Sequence, residues 1–197
     1  MASLFDRLQS QAFRAGITRH TDRSRQWFNK KVKELEDINR RSLLKDDALK
    51  PISNPKSGDM IMYFYDPKWK AELPYYDRFP LTILVGPAEG GFYGLNLHYL
   101  SPIVRAKFLD ELIQLAPANL SDTTRITRLR YKLLVSTRAF REFKPCWKHY
   151  LFEHVKSKMA RVPMPDWEVA CFLPTQEFRK VKDNTVWRYS RKQYAGG

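Results

Sequence analysis

One stretch limits what this chain can fold into. It begins Gly58-Asp59-Met60-Ile61-Met62-Tyr63-Phe64-Tyr65-Asp66-Pro67 and continues Leu73-Pro74-Tyr75-Tyr76-Asp77-Arg78-Phe79-Pro80-Leu81. It ends Gly91-Phe92-Tyr93-Gly94-Leu95-Asn96-Leu97-His98-Tyr99-Leu100. The stretch is aromatic and punctuated by turn residues, which is the pattern of short strands. Met60 to Tyr65 is β-prone and opens at a Gly-Asp turn. Leu81 to Val85 is apolar and β-branched. Residues 86–91 read as a turn, and Phe92 to Leu97 as the returning strand. This predicts a small SH3-like β-barrel or a curled antiparallel sheet, with residues 65–72 as its first long loop.

Charge sets this stretch apart. Residues 58–100 hold 3 Lys/Arg against 5 Asp/Glu, residues 1–57 hold 13 against 7, and residues 101–161 hold 13 against 5. The net charge of +14 therefore sits on the flanks. Charge of that size says nothing about fold but favours anionic partners: DNA, RNA, an acidic protein surface or an anionic membrane.

The flanks read as helices. Leu4, Leu8, Ala12 and Ala15 recur at helical spacing up to Gly16. Thr21 or Asp22 caps a second helix, whose stripe of Trp27, Phe28, Lys31, Val32, Leu35 and Ile38 fades near Leu44. Residues 50–55 read as a linker, because each proline removes a donor and disfavours helix before it. Ser101-Pro102 starts a third helix, with Val104, Phe108, Leu109, Leu112, Ile113 and Leu115 inside and Pro117 as its end. A helix over 121–135 and another from Cys146 to Met159 are expected, then a short apolar turn at Trp167 to Leu173. The expected class is α+β: an N-terminal helical arm and linker (1–57), a small β module (58–100) and a C-terminal basic helical region (101–197).

The chain has 197 residues, of which 43% are hydrophobic and 14% aromatic, so a packed core is within reach. Two cysteines make no disulfide framework, which points to a reducing compartment. Charge appears at once after Met1 with no apolar leader, and no apolar run approaches the roughly 20 residues of a membrane helix. Synthesis in the cytoplasm is expected, with no membrane partner.

The basic surface is the strongest functional signal. Arg125, Arg128 and Lys132 share one helical face, and Arg138, Arg141, Lys144, Lys148, Lys156, Lys158 and Arg161 continue the charge. Groups of this kind meeting phosphates bind strongly at low salt and carry little sequence preference. The alternative is a solvated face, or one that docks an acidic protein. Base stacking on the aromatic stretch fits poorly, since its block is net negative; Tyr63, Phe64, Tyr65, Phe79, Phe92, Tyr93 and Tyr99 are expected in the core. Cys146, His149, His154 and Cys171 form a conceivable zinc set, but their spacing does not put them on one face, and no metal or other cofactor is expected. Asp59, Asp66, Asp77 and Glu89 are the only candidates for a metal-dependent nuclease. They are read as acidic turn residues. Neither a nucleophile elbow nor a phosphate-binding glycine loop occurs, so no catalytic residue is assigned.

The run from Gly58 to Leu100, followed by Arg105-Ala106-Lys107 and Leu109-Asp110, resembles the DNA end protector proteins of T-even-like contractile-tailed phages, especially the cyanophage branch. So do residues 143–151, 166–170, 172–174 and 185–191, and the N-terminal pattern with Trp27-Phe28 and Asn39-Arg40. Gly91 to Leu100 is the most specific piece. The resemblance implies a minor virion protein that acts during head completion, sits at the ends of packaged linear double-stranded DNA near the portal vertex, and shields them from exonuclease. Portal, neck or tail proteins would be its neighbours, with a homo-oligomer possible. The alternative within a virion is a structural neck, tail or baseplate component whose charge docks on other proteins.

Overall fold

The computed structural model describes residues 3–35, 38–47, 49–114 and 131–192. Strands come first because they organise the rest. They are β1 (Lys50–Pro51), β2 (Met60–Met62), β3 (Tyr76–Asp77), β4 (Leu81–Ala88), β5 (Gly91–Asn96), β6 (Trp147–Leu151), β7 (Ala160–Val162) and β8 (Phe178–Arg179). Six of them form an antiparallel sheet in the order β1-β7-β2-β4-β5-β6, and β3 pairs separately with β8. The central hairpin, β4 to β5, is the one expected from the sequence, with its turn at Glu89-Gly90 and a register shift between Leu84 and Gly86. The structure is α+β as expected, but the sheet is open, so the barrel alternative does not hold.

Two other readings are overturned. Residues 146–159 are not a helix. They form β6 along β5, a single 3-10 turn at Phe152–His154, and a bridge from Val155 to Tyr65, before the chain returns as β7 beside β2. The linker residues Lys50–Pro51 are the edge strand β1, paired with β7. Proline fits there because an edge strand leaves one row of backbone groups unpaired.

The helices are α1 (Leu4–Arg14), α2 (Asp22–Lys33), α3 (Arg40–Leu43), α4 (Pro102–Gln114), α5 (131–136), α6 (Trp167–Phe172) and α7 (Asp183–Lys192). The local chemistry of their starts is clear. Ser3 and Asp6 form a capping box on α1, and Thr21 with Ser24 does the same on α2. The Ser101 carbonyl accepts from the Arg105 amide in the first turn of α4. The α2 helix stops at Glu34 and does not reach Leu44; α3 follows after Asn39, whose side chain accepts from the Ser42 amide.

Strand alternation sends the two sheet faces to different cores. One face presents Met60, Met62, Leu81, Ile83, Leu95, Ala160 and Val162 to the helices. There, α6 is buried along its whole length among α1, α2 and α4. Phe5, Leu8, Ala12, Phe28 and Val32 join this core. The other face carries a smaller cluster of Ile61, Tyr63, Tyr65, Leu84, Phe92 and Tyr150, with edge-to-face rings such as Tyr65 and Tyr150 at 4.9 Å.

The Gly91–Leu100 segment has a structural reason at nearly every position. A Cβ on Gly91 would lie 1.8 Å from the Tyr150 carbonyl, so only glycine lets β6 lie this close. Phe92 enters the aromatic cluster and Leu95 and Leu97 the main core. Asn96 accepts from the His98 amide, turning the strand into a 3-10 helix. The carbonyls of His98 and Leu100 accept from the buried Arg105 guanidinium, which also donates to Cys171 in α6. Burial draws the Arg105 pKa down to about 10.

Candidate nucleic-acid interface

Asp77, His98 and Thr175 have the chemistry of a catalytic triad without its access. The Asp77 carboxylate lies 2.6 Å from His98 Nδ1, and His98 Nε2 lies 3.1 Å from the Thr175 hydroxyl. All three side chains are buried. Asp77 also accepts from the amides of Phe79 and Glu177 and from Asn96. Burial pushes the Asp77 pKa up, but electrostatic interaction with His98, followed by the hydrogen bonds from His98 and the two backbone amides, outweighs it and the carboxyl is held below its ordinary value. Burial holds the His98 imidazole below its ordinary value as well, so the neutral ring bridges carboxylate and hydroxyl. This network braces β3 and β8 against the 3-10 helix of residues 97–99.

The remaining acids have local partners. Asp66 pairs with Lys70 at 2.9 Å, which holds its carboxyl below the ordinary value, and Asp59 accepts from the Lys56 amide. Cys146 and Cys171 are buried thiols, each pushed up to about 12, while His149 and His154 contact the carbonyls of Glu89 and Asp66. Among the described residues no group of three or more His, Cys, Asp and Glu is placed to hold a metal ion, and no helix is long and apolar enough to cross a membrane.

Arg125 and Arg128 lie outside the described residues. Lys132, Arg138, Arg141 and Lys144 are exposed along α5 and the two 3-10 turns after it, Thr137–Ala139 and Arg141–Cys146. None of the four makes an ion pair among the described residues. Arg138 lies over the Trp147 ring at 4.4 Å and the Tyr93 ring at 5.7 Å, which leaves the guanidinium edge toward solvent. Lys156, Lys158 and Arg161 are also exposed, but they lie beyond β6 on the return to β7, toward the opposite edge of the sheet. Lys156 donates to the Glu153 carbonyl and Arg161 is 3.9 Å from Asp59. The ten cations thus fall into separate groups, and the chain-continuous group 132–144 is the densest of those described.

Lys148 departs from both groups. It sits in β6 on the face opposite Trp147, half-buried, with its ammonium 4.2 Å from the Tyr99 ring centre. Burial lowers its pKa. A groove of about 290 Å³ opens there, between the edge strand β6 and the loop after Tyr65. Trp69, Tyr75, Tyr76 and Tyr99 supply its aromatic walls. Trp69 is 58% exposed, and Lys68 lies over its ring at 5.4 Å. Counting charge over the whole of residues 58–100 concealed this site. The local signal was Lys68-Trp69-Lys70, a cation–aromatic alternation inside a net negative block. Tyr93, expected in the core, is 39% exposed; the other six aromatics of that expectation are buried or partly buried.

Compared with known families, residues 2–193 match the family described as Phage T4 terminal DNA protecting protein. No curated protein and no solved structure matches the chain.

Proposed function

The chain belongs to the phage family of terminal DNA protecting proteins, and from that premise we propose that it binds the ends of packaged linear duplex DNA and shields them by steric occlusion, without catalysis. The observation that carries the mode of binding is the run of Lys132, Arg138, Arg141 and Lys144, all exposed and free of carboxylate partners among the described residues. Exposed cations on a rigid scaffold release phosphate counterions and bind without reading sequence. Lys156, Lys158 and Arg161 form a second exposed cationic group, toward the other edge of the sheet, that offers further phosphate contacts in this reading. The protein acts in the virion during head completion, near the portal vertex, where DNA ends and neck proteins meet.

The test is protection of a linear duplex from a processive exonuclease by the purified protein, with covalently closed duplex as competitor. Protection that survives the competitor at near-physiological salt supports end binding. Protection that the competitor abolishes means generic cationic adhesion and overturns the reading in favour of a structural neck or tail component.

A further inference from the structure

We propose that the groove between β6 and the Trp69 loop receives the terminal nucleotide of one DNA strand, its base stacked against Trp69, Tyr75 and Tyr76 and its phosphate against Lys148 and Lys68. The inference rests on the reading of the protein as an end binder and adds how an end is told from a middle.

Trp69, Tyr75 and Tyr76 supply stacking surfaces, and the buried Tyr99 ring backs the space beneath Lys148. Trp69, Tyr75, Tyr76 and Tyr99 line a space of about 290 Å³, at the lower end of the roughly 300–1,000 Å³ of ligand clefts. A single base fits such a space and a stacked duplex does not. Stacking on aromatic rings tolerates any base, because every base has a π face.

The floor supplies a lysine that makes no ion pair among the described residues. This is Lys148, which β6 contributes to the groove. The one carboxylate in the lining, Asp77, is committed to His98, Asn96 and two backbone amides. A half-buried ammonium resting on the Tyr99 ring gains from an incoming phosphate more than an exposed one does, because less water competes for it.

The loop is held in place. Lys180 donates to the carbonyls of Ala71 (2.9 Å) and Leu73 (2.6 Å), Lys70 pairs with Asp66, and Tyr76 is fixed in β3 by its pairing with β8. The groove also adjoins the basic run. His149 lines it and lies 5.4 Å from the Tyr93 ring, and Arg138 lies over that same ring. A duplex held at Arg138 and its neighbours therefore brings its end toward the groove.

Selectivity for ends follows from duplex physics. Withdrawing a base from the interior breaks stacking on both of its faces and its base pair, and unpairing is easiest where the base is already free or frayed. A one-nucleotide groove lined with rings thus favours termini with no sequence preference.

The experiment compares an open blunt duplex with the same duplex closed at both ends by glycol linkers. A 5-iodouracil is placed at the terminal or at a central position for photocrosslinking. The wild-type protein is expected to prefer open ends and to crosslink the terminal label to residues 67–76 or to β6. Trp69→Ala, at an exposed position that leaves the core intact, and Lys148→Gln are each expected to reduce the open-end preference by roughly 5- to 100-fold, with affinity for closed duplex unchanged. Absence of any open-end preference in the wild type overturns the end-binding reading itself. An open-end preference that survives both substitutions, with the terminal label crosslinking outside the groove, overturns this inference and leaves the parent reading standing.

Discussion

Substituting Gly94 by alanine tests how closely β5 packs against Thr82 of β4. An ideal Cβ at Gly94 lies 2.3 Å from Thr82 Cγ2 and 3.4 Å from the Tyr150 ring. Carbon atoms rest at about 3.5–4.0 Å, so the Thr82 methyl must retreat by more than ~1 Å. Thr82 is fully buried in β4 between β2 and β5, and its β-branch restricts the rotamers it can adopt. Overpacking of this kind costs about 1–3 kcal/mol. The smaller entropy of the unfolded alanine chain returns about 0.4–1 kcal/mol. We expect a net loss of about 1–2 kcal/mol, read as a lower urea midpoint with unchanged m-value. Thr82→Ser keeps the hydroxyl that lies 3.4 Å from the Tyr63 OH and removes the offending methyl, at about 1 kcal/mol. If the clash is the cause, the new methyl occupies the space vacated, and the double variant is less destabilised than the sum by about 1–2 kcal/mol. Gly86→Ala is the control, with no atom within 4 Å of its Cβ, and is expected within about 0.5 kcal/mol of wild type. Additive single effects, or an unaffected Gly94→Ala, would refute the reasoning.

Three other outcomes are expected. Reversing charge at Lys132, Arg138, Arg141 and Lys144 should weaken duplex binding and flatten the slope of log K against log salt by about 3 to 4, with circular dichroism unchanged; an unaltered slope would remove this segment from the interface. Stability should fall as pH drops below about 6.5, because the unfolded chain binds a proton at His98 that the folded chain resists, and lower still Asp77 adds to the loss; the combined slope reaches about 1.4 kcal/mol per pH unit per group, and His98→Gln should flatten the upper part of it in pH-dependent denaturation curves. Cys146 and Cys171, whose burial holds the thiols up at about 12, should be silent to a thiol-disulfide reagent in native protein at pH 8 and react only after denaturation; fast native labelling would contradict their packing.

Much of the fold was legible because its signals are local. Thr21 and Ser101-Pro102 mark helix starts through hydrogen bonds within one turn. The β4–β5 hairpin follows from apolar residues on both sides of a Gly-rich turn. The candidate site was legible only as charge. Trp69 and Lys148 gave no combined signal, since about eighty residues separate them in the chain and only the placement of β6 beside the loop unites them.

By itself the sequence determined the α+β class, the capped helices, the central hairpin and the excess of positive charge on the flanks. Each of these depends on neighbours within a few residues, or on composition. The tertiary structure decided the rest. Trp147, Tyr150, Leu151 and Val155 recur at a spacing a helix would use, yet alternation puts Lys148 and Tyr150 on one face and Trp147 and His149 on the other. Gly91 and Gly94, more than fifty residues upstream, settle the matter by offering a bare strand surface on which β6 lies. The same pairing leaves Lys148 half-buried on the floor of an aromatic groove, where a tally of surface cations would have placed it in water. Pairing between distant segments is selected by the surfaces they bury together, and no local period records it.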